Sequence, residues 1–151
     1  MIIVDNQIKN LVETTNLITN FKEENLSSIS YDVTISEFVN NEDNDNYTLE
    51  PSSFIYIKTN ESLNMTYDLC CKIIEKNSLM RKGLKVDGPL YQPGHQTDIF
   101  LRVQNISNEP ISLDKNMKIA QLVFIKLDNL PTMTYDKQEN AKYNNENEFR
   151  N

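Results

Sequence analysis

Residues 28–36, SISYDVTIS, put Ile29, Tyr31, Val33 and Ile35 at every second position, with small or polar residues between them. A period of two gives a strand one apolar face, and that face must be buried against another layer. The same kind of segment returns along the chain. SFIYIKT (53–59), YDLCCKII (67–74) and IFLRV (99–103) read as β-branched and aromatic strands, and KIAQLVFIKL (118–127) as a longer, nearly continuous one. Residues 5–20 differ: Ile8, Leu11, Val12 and Ile18 fall near one face at helical spacing, which predicts an amphipathic helix ahead of the first strand. NNEDNDN (40–46) is a polar loop, and NISNEPISLDKN (105–116) carries turn residues at short spacing. Many short strands with regular turns predict an all-β sandwich or barrel. The chain has only three glycines, so Asn and Asp must supply the remaining turn positions.

A length of 151 residues fits one domain with one core. No apolar run approaches the ~20 residues that span a bilayer. The opening MIIVDNQIKN includes Asp5 and lacks a positively charged start, so a secretory signal is not expected. Adjacent Cys70 and Cys71 form neither a disulfide framework nor a zinc pattern; on a strand they point to opposite faces. Two reduced thiols in a cytoplasmic protein are expected. The net charge of −7 argues against sequence-independent binding to nucleic acid. Between Lys72 and Lys85, however, five basic residues (Lys72, Lys76, Arg81, Lys82, Lys85) stand against the single Glu75, a candidate patch for a small polyanion. From Tyr135 onward the chain is polar without a strand period. The expected organisation is a barrel domain with its N-terminal helix over 1–135 and a mobile tail over 136–151, either disordered or ordering over a site.

LYQPGHQTDIFLRVQN (90–105) holds a Pro93-Gly94 turn between two strands, a type of turn that often carries a catalytic carboxylate. Here Gln92 precedes the turn and Arg102 sits at the centre of the following strand.

The order of these segments resembles the dUTPase and dCTP deaminase superfamily, the deaminase branch most closely, over roughly residues 26–145. SSISYDVTI is similar to that family's Ser-Tyr-Asp-Leu strand. LEPSSFIYIKTNESLNM resembles its Leu-x-Pro-x-x-Phe-x-Leu-x-Thr-x-Glu segment, with Thr59 and Glu61 in place. EKNSLMRKGL resembles its phosphate motif, YQPG its Asp-Pro-Gly turn, the stretch ending IAQLVF its Ile-x-Gln-Leu-x-Phe, and AKYNN its Lys-Tyr-Gln tail. The resemblance implies a distorted jelly-roll β-barrel of dUTPase type with a short N-terminal helix and a mobile C-terminal tail. It also implies a homotrimer with nucleotide sites between subunits.

Fold does not carry function, so the implied site is read residue by residue. At the phosphate motif stand Lys76, Asn77, Ser78 and Arg81; Lys76 keeps the charge of the family's arginine without its bidentate geometry. Gln121, Tyr135, Lys142 and Tyr143 occupy further nucleotide-binding positions, with Asn144 where glutamine is usual. His95 stands where the family often has an aromatic residue on the sugar. The dUTPase carboxylate position is Gln92, whose amide cannot accept a proton, and the deaminase position is Arg102, permanently protonated. Loss of a general base typically costs ~10²–10⁴ in rate. The reading is therefore a catalytically impaired binder of a pyrimidine deoxynucleotide, acting as a regulatory or interaction protein with a regulatory protein partner. The alternative is an active dUTP diphosphatase or dCTP deaminase with relocated groups, for which Asp87, Asp98 and His95 are the candidates and Mg2+ would accompany the triphosphate. The third reading is an interaction protein with a dead nucleotide site. No resident metal or other cofactor is expected. The Asn-rich, glycine-poor composition suits an AT-rich genome, phage and viral genomes included, and then a host cytoplasm.

Overall fold

In the computed structural model, which describes residues 1–150, the alternating segments form strands. Helix α1 (Asp5–Thr15) leads into β1 (Tyr31–Phe38), β2 (Asn46–Leu49), β3 (Phe54–Asn64) and β4 (Leu69–Glu75). A single helical turn, α2 (Asn77–Met80), is followed by β5 (Leu84–Asp87), β6 (Gln96–Asn105), β7 (Ile111–Asp114) and β8 (Lys118–Lys126). Six strands pair antiparallel in the order β4-β8-β1-β3-β6-β5, and β2 pairs with β7 in a small second sheet. The large sheet curls until its ends meet. Cys71 on β4 and Tyr91 beyond β5 exchange two backbone hydrogen bonds of 2.9 Å, and Glu75 Oε1 accepts from the Val86 N–H at 3.0 Å. Gly88 lets this seam close, because a Cβ there would stand 2.5 Å from Ile73 Cγ1 and 2.7 Å from Leu101 Cδ2. The result is the nearly closed all-β barrel that the alternation and the resemblance predict.

Its interior follows the period of two. On β3, Ile55, Ile57, Thr59, Glu61 and Leu63 point inward; on β6, Thr97, Ile99, Leu101, Val103 and Asn105 do so. Two of these inward residues are strong polar groups, and both are bonded. The Glu61 carboxylate accepts from the Thr34 N–H at 2.9 Å and from Thr34 Oγ1 at 3.0 Å. Burial pushes its pKa up, while the Thr34 bonds pull it back. Asn105, fully buried, donates to the carbonyls of Leu49 (2.9 Å) and Glu109 (2.8 Å) and accepts from the Ser107 N–H and hydroxyl.

Several boundaries differ from the expectation. The helix stops at Thr15, because Asn16 turns left-handed (φ 55°) and its N–H bonds back to the Leu11 and Val12 carbonyls. Ile18 is buried by bridging Leu63, outside the helix. β3 runs on to Asn64 through polar residues, and 105–116 contains β7 as well as turns. Among the described residues, the non-glycine positions with positive φ are Asn16, Asn20, Asn40, Asn116, Asn145 and Ser52. Asparagine takes five of these six left-handed positions, and aspartate stands in turns outside the left-handed region, as Asp43 and Asp68 do. Cys71 is buried and Cys70 half-exposed, on opposite faces as the strand requires.

Candidate functional site

The Pro93-Gly94 turn is built by local bonding. The His95 N–H closes it on the Gln92 carbonyl at 3.1 Å, and Gly94 sits at φ +81° with its N–H on the Thr66 carbonyl. This places His95 inward. Its ring stands 4.1 Å from the Tyr135 ring and 5.6 Å from that of Tyr91, and it is only 5% exposed. The tail then folds across it. The Tyr135 N–H donates to the Pro93 carbonyl, His95 Nε2 lies 2.9 Å from the Tyr143 carbonyl, and the Gln96 N–H donates to Asn144 Oδ1. The Asp98 N–H donates to the Glu146 carbonyl at 2.8 Å, within a parallel bridge of Thr97 with Glu146. Phe149 ends the segment, its ring 4.6 Å from Tyr56 and 5.7 Å from Phe100. The tail, expected either as a disordered end or as an arm that orders over a site, lies along β6 of its own barrel.

Between turn and tail lies a cavity of about 620 Å3, lined by Leu90, Tyr91, His95, Tyr135, Tyr143 and Glu146 among others, a size suited to a small ligand. A larger, more open hollow of about 860 Å3 lies across Phe149, toward the 37–42 loop. Of the residues singled out in the sequence, Gln92, His95, Asp98, Tyr135 and Tyr143 line the smaller cavity. The basic group does not. Lys76 Nζ is held 2.9 Å from Asp32 on β1, with Lys118 Nζ 3.6 Å from the same buried carboxylate. Asn77 Oδ1 accepts from Arg81 Nε at 3.1 Å, and Ser78 is exposed beside them. Gln121 lies next to this cluster, paired with Asp32 across β1 and β8. Lys142 Nζ rides 5.2 Å from the Tyr143 ring centre.

The three candidate acid–base groups are all engaged. Asp87 Oδ2 accepts from Arg102 at 2.8 Å and lies 3.9 Å from Lys85 Nζ. Asp98 Oδ2 stands 3.2 Å from Lys58 Nζ. The sequence reading missed Glu146, Tyr91, Asp32 and Phe149. Glu146 sits in a polar tail whose composition carries no sign of docking. In the structure it is 7% exposed, and among the described residues its Oε2 has no hydrogen-bond partner. Burial pushes its pKa up, Asp98 adds to this, and Arg150 and Lys142 pull it down. Among the described residues no group of three or more His, Cys, Asp and Glu converges.

Burial holds the His95 imidazole below its ordinary pKa, and the Tyr143 carbonyl pulls it back upward. The folded state therefore binds fewer protons here than the unfolded one. Its stabilising contribution is full above the ordinary histidine value of about 6.5 and is lost as pH falls through the folded value. Glu146, raised by burial, acts in the opposite sense: its contribution is present below the ordinary carboxylate value and lost as pH rises through its folded one. Melting temperatures between pH 7.5 and 5.5, compared for wild type and His95→Phe, isolate the histidine. The variant should lose less stability on acidification than the wild type.

Comparison with known proteins fits this architecture. The family description "dCTP deaminase-like" matches residues 35–127. The dCTP deaminase of Natronomonas pharaonis is 28% identical over 130 residues, covering 82% of this chain and 67% of that protein. Among solved structures, the 2'-deoxycytidine 5'-triphosphate deaminase of Agrobacterium tumefaciens superposes with a TM-score of 0.69 at 14% identity, over 82% of this chain and 48% of that one. A dUTPase of Staphylococcus bacteriophage 80alpha superposes at 0.56 and 17% identity, over 80% and 88%. The chain spans about half to two thirds of the length of the curated relatives it matches. No described helix is long and apolar enough to cross a membrane. With its barrel topology and a match over most of the sheet, the chain belongs to the dCTP deaminase-like family of the dUTPase and dCTP deaminase superfamily.

Proposed function

We propose that this chain binds a pyrimidine deoxynucleotide on the family barrel without the family's usual chemistry, and works as a nucleotide-binding, regulatory or interaction protein. One observation carries the reading: the strand position at which deaminases of this family present a glutamate is Arg102, locked to Asp87 at 2.8 Å. A guanidinium cannot serve as a base, and its partner is occupied in neutralising it. Gln92 at the turn has no basic pKa to offer. The relocated candidates give little support to an active enzyme, since Asp87 and Asp98 are each ion-paired and His95 Nε2 is engaged with the tail. A cavity walled by Tyr91, His95 and Tyr135 supports binding of a flat heterocycle. Assembly as a homotrimer in the cytoplasm, magnesium entering with a triphosphate and a regulatory protein partner belong to the same proposal. Phage dUTPases are said to control transfer of virulence genes, a regulatory role of the kind proposed.

Thermal denaturation with dUTP, dCTP, dTTP and dUMP in the presence of magnesium tests it. A ligand that binds only the native state raises stability by mass action. At least one pyrimidine deoxynucleotide should raise the melting temperature by several degrees. No shift with any of them would leave the interaction reading and overturn this one.

A further inference from the structure

The outer face of β3 and β6 breaks the alternation that builds the barrel. Phe54, Tyr56 and Phe100 take outward positions between the buried Ile55, Ile57, Ile99 and Leu101, where a solvated sheet face carries polar side chains. The tail covers part of this surface, with the Phe149 ring 4.6 Å from Tyr56 and 5.7 Å from Phe100. Phe54 packs edge-on to Tyr56 at 5.6 Å and is left 54% exposed. These four rings, with Tyr47 of β2, line the hollow of about 860 Å3 beyond Phe149. A contiguous aromatic surface left open and rimmed by polar groups marks an interaction site.

Charge selects the occupant. Glu37, Glu42 and Glu148 border the hollow, and Lys58 is the one cationic side chain among its lining residues. Lys58 stands opposite Glu37 in the β1–β3 register, yet its Nζ turns to Asp98 at 3.2 Å and to the Asn147 carbonyl at 3.4 Å. Lys115 Nζ donates to the Glu42 carbonyl, and Arg150 lines the smaller cavity instead. Among the described residues, none of the three rim carboxylates has an ion-pair partner. Aromatic faces carry negative charge density, so floor and rim attract the same group, an organic cation. A guanidinium fits both: it stacks flat on a ring and bonds a carboxylate in bidentate fashion, which an ammonium does not. The exposure of Phe54 makes the hollow a surface trough, whereas small ligands take sites that enclose most of their surface. A trough of this kind suits a peptide chain running along it. We infer that the hollow docks an arginine-bearing segment of a partner protein, with guanidinium groups stacked on the aromatic floor and neutralised by Glu37, Glu42 and Glu148. The inference gives the interaction role proposed above a surface and a chemistry, and it requires no nucleotide in the smaller cavity.

Fluorescence anisotropy with a labelled peptide of alternating glycine and arginine tests it, beside the same peptide with citrulline, which keeps the flat side chain without the charge. Wild type should bind the arginine peptide roughly ten-fold or more tighter than the citrulline one. Phe54→Ala, at a largely exposed position, and Glu37→Gln should each weaken the arginine peptide by roughly three- to ten-fold. Glu13→Gln, which removes an exposed carboxylate from α1, should change it by less than about two-fold and controls for general attraction to an acidic chain. Equal losses in Glu13→Gln and Glu37→Gln, or binding unchanged in Phe54→Ala, overturn the inference in favour of unspecific attraction. Spermidine bound with a dependence on Phe54, without peptide binding, overturns it in favour of a small polyamine. Absence of peptide binding to wild type also overturns it, and a changed oligomeric state of Phe54→Ala would then assign the face to a second copy of the chain. None of these results bears on nucleotide binding.

Discussion

Gly94→Ala should destabilise the protein by about 2–3 kcal/mol and loosen the tail from β6. The position has φ +81°, where a side chain is strained in any surroundings. The surroundings add to that strain. A Cβ would stand 2.5 Å from Asp136 Oδ1, 3.1 Å from Thr134 Cβ and 3.1 Å from Tyr67 Cε1. Asp136 cannot step aside freely, since it accepts from the Thr134 hydroxyl at 2.5 Å and from the Tyr67 hydroxyl at 2.9 Å. Those bonds start the tail on its course, and the Tyr135 N–H to Pro93 carbonyl bond comes directly after them. Urea denaturation gives the stability change, and amide exchange at 143–146 reports the docking. A loss under 0.5 kcal/mol with unchanged exchange would mean that the turn does not position the tail.

Asn105→Ala should cost about 3 kcal/mol, although the residue does not line the cavity. Asn105 is fully buried, where β6 ends against the small β2–β7 sheet. Its amide donates to the Leu49 and Glu109 carbonyls, and its oxygen accepts from the Ser107 backbone and hydroxyl. Truncation removes all four bonds at once. It leaves the Leu49 carbonyl without its side-chain donor in a dry environment and adds a cavity. Asn105→Asp should also destabilise, because a carboxylate cannot donate to either carbonyl. Chemical denaturation of both variants measures this. A cost below about 1 kcal/mol for the alanine would show that water replaces the amide.

The strands legible in the sequence are those with enough apolar residues to show a period. Tyr31, Val33 and Ile35 announce β1 without help. LKVD and ISLD, which form β5 and β7, hold two apolar residues each, too few to separate a strand from a turn. The alternation breaks off early in β3 because Thr59 and Glu61 face inward where apolar residues are expected. What licenses Glu61 there is Thr34 on β1, a partner that no local pattern reveals. The site is legible to the same degree. Gln92, His95 and Arg102 are assigned only through the resemblance to the family's turn and strand, since no local pattern in the residues themselves marks them as a site. Lys76 looks like a phosphate ligand because its charge is visible in sequence, whereas its pairing with Asp32 arises only when β1 and β8 lie side by side. Glu146 is hidden for a further reason. Docking of the tail depends on Phe149 meeting Tyr56 and Phe100 and on backbone bonds to β6, and a polar composition reads as a solvated end.

The central claim is a retained nucleotide scaffold whose two family carboxylate positions carry Gln92 and Arg102. The most direct test is chromatography of the nucleotide pool after prolonged incubation of wild-type protein with dCTP and, separately, dUTP, with magnesium, at concentrations that raise its melting temperature. The account predicts that the nucleotide is recovered intact while the protein is stabilised. Appearance of dUTP or dUMP from dCTP, or of dUMP and pyrophosphate from dUTP, at turnover rates of order 1 per second or above would contradict it.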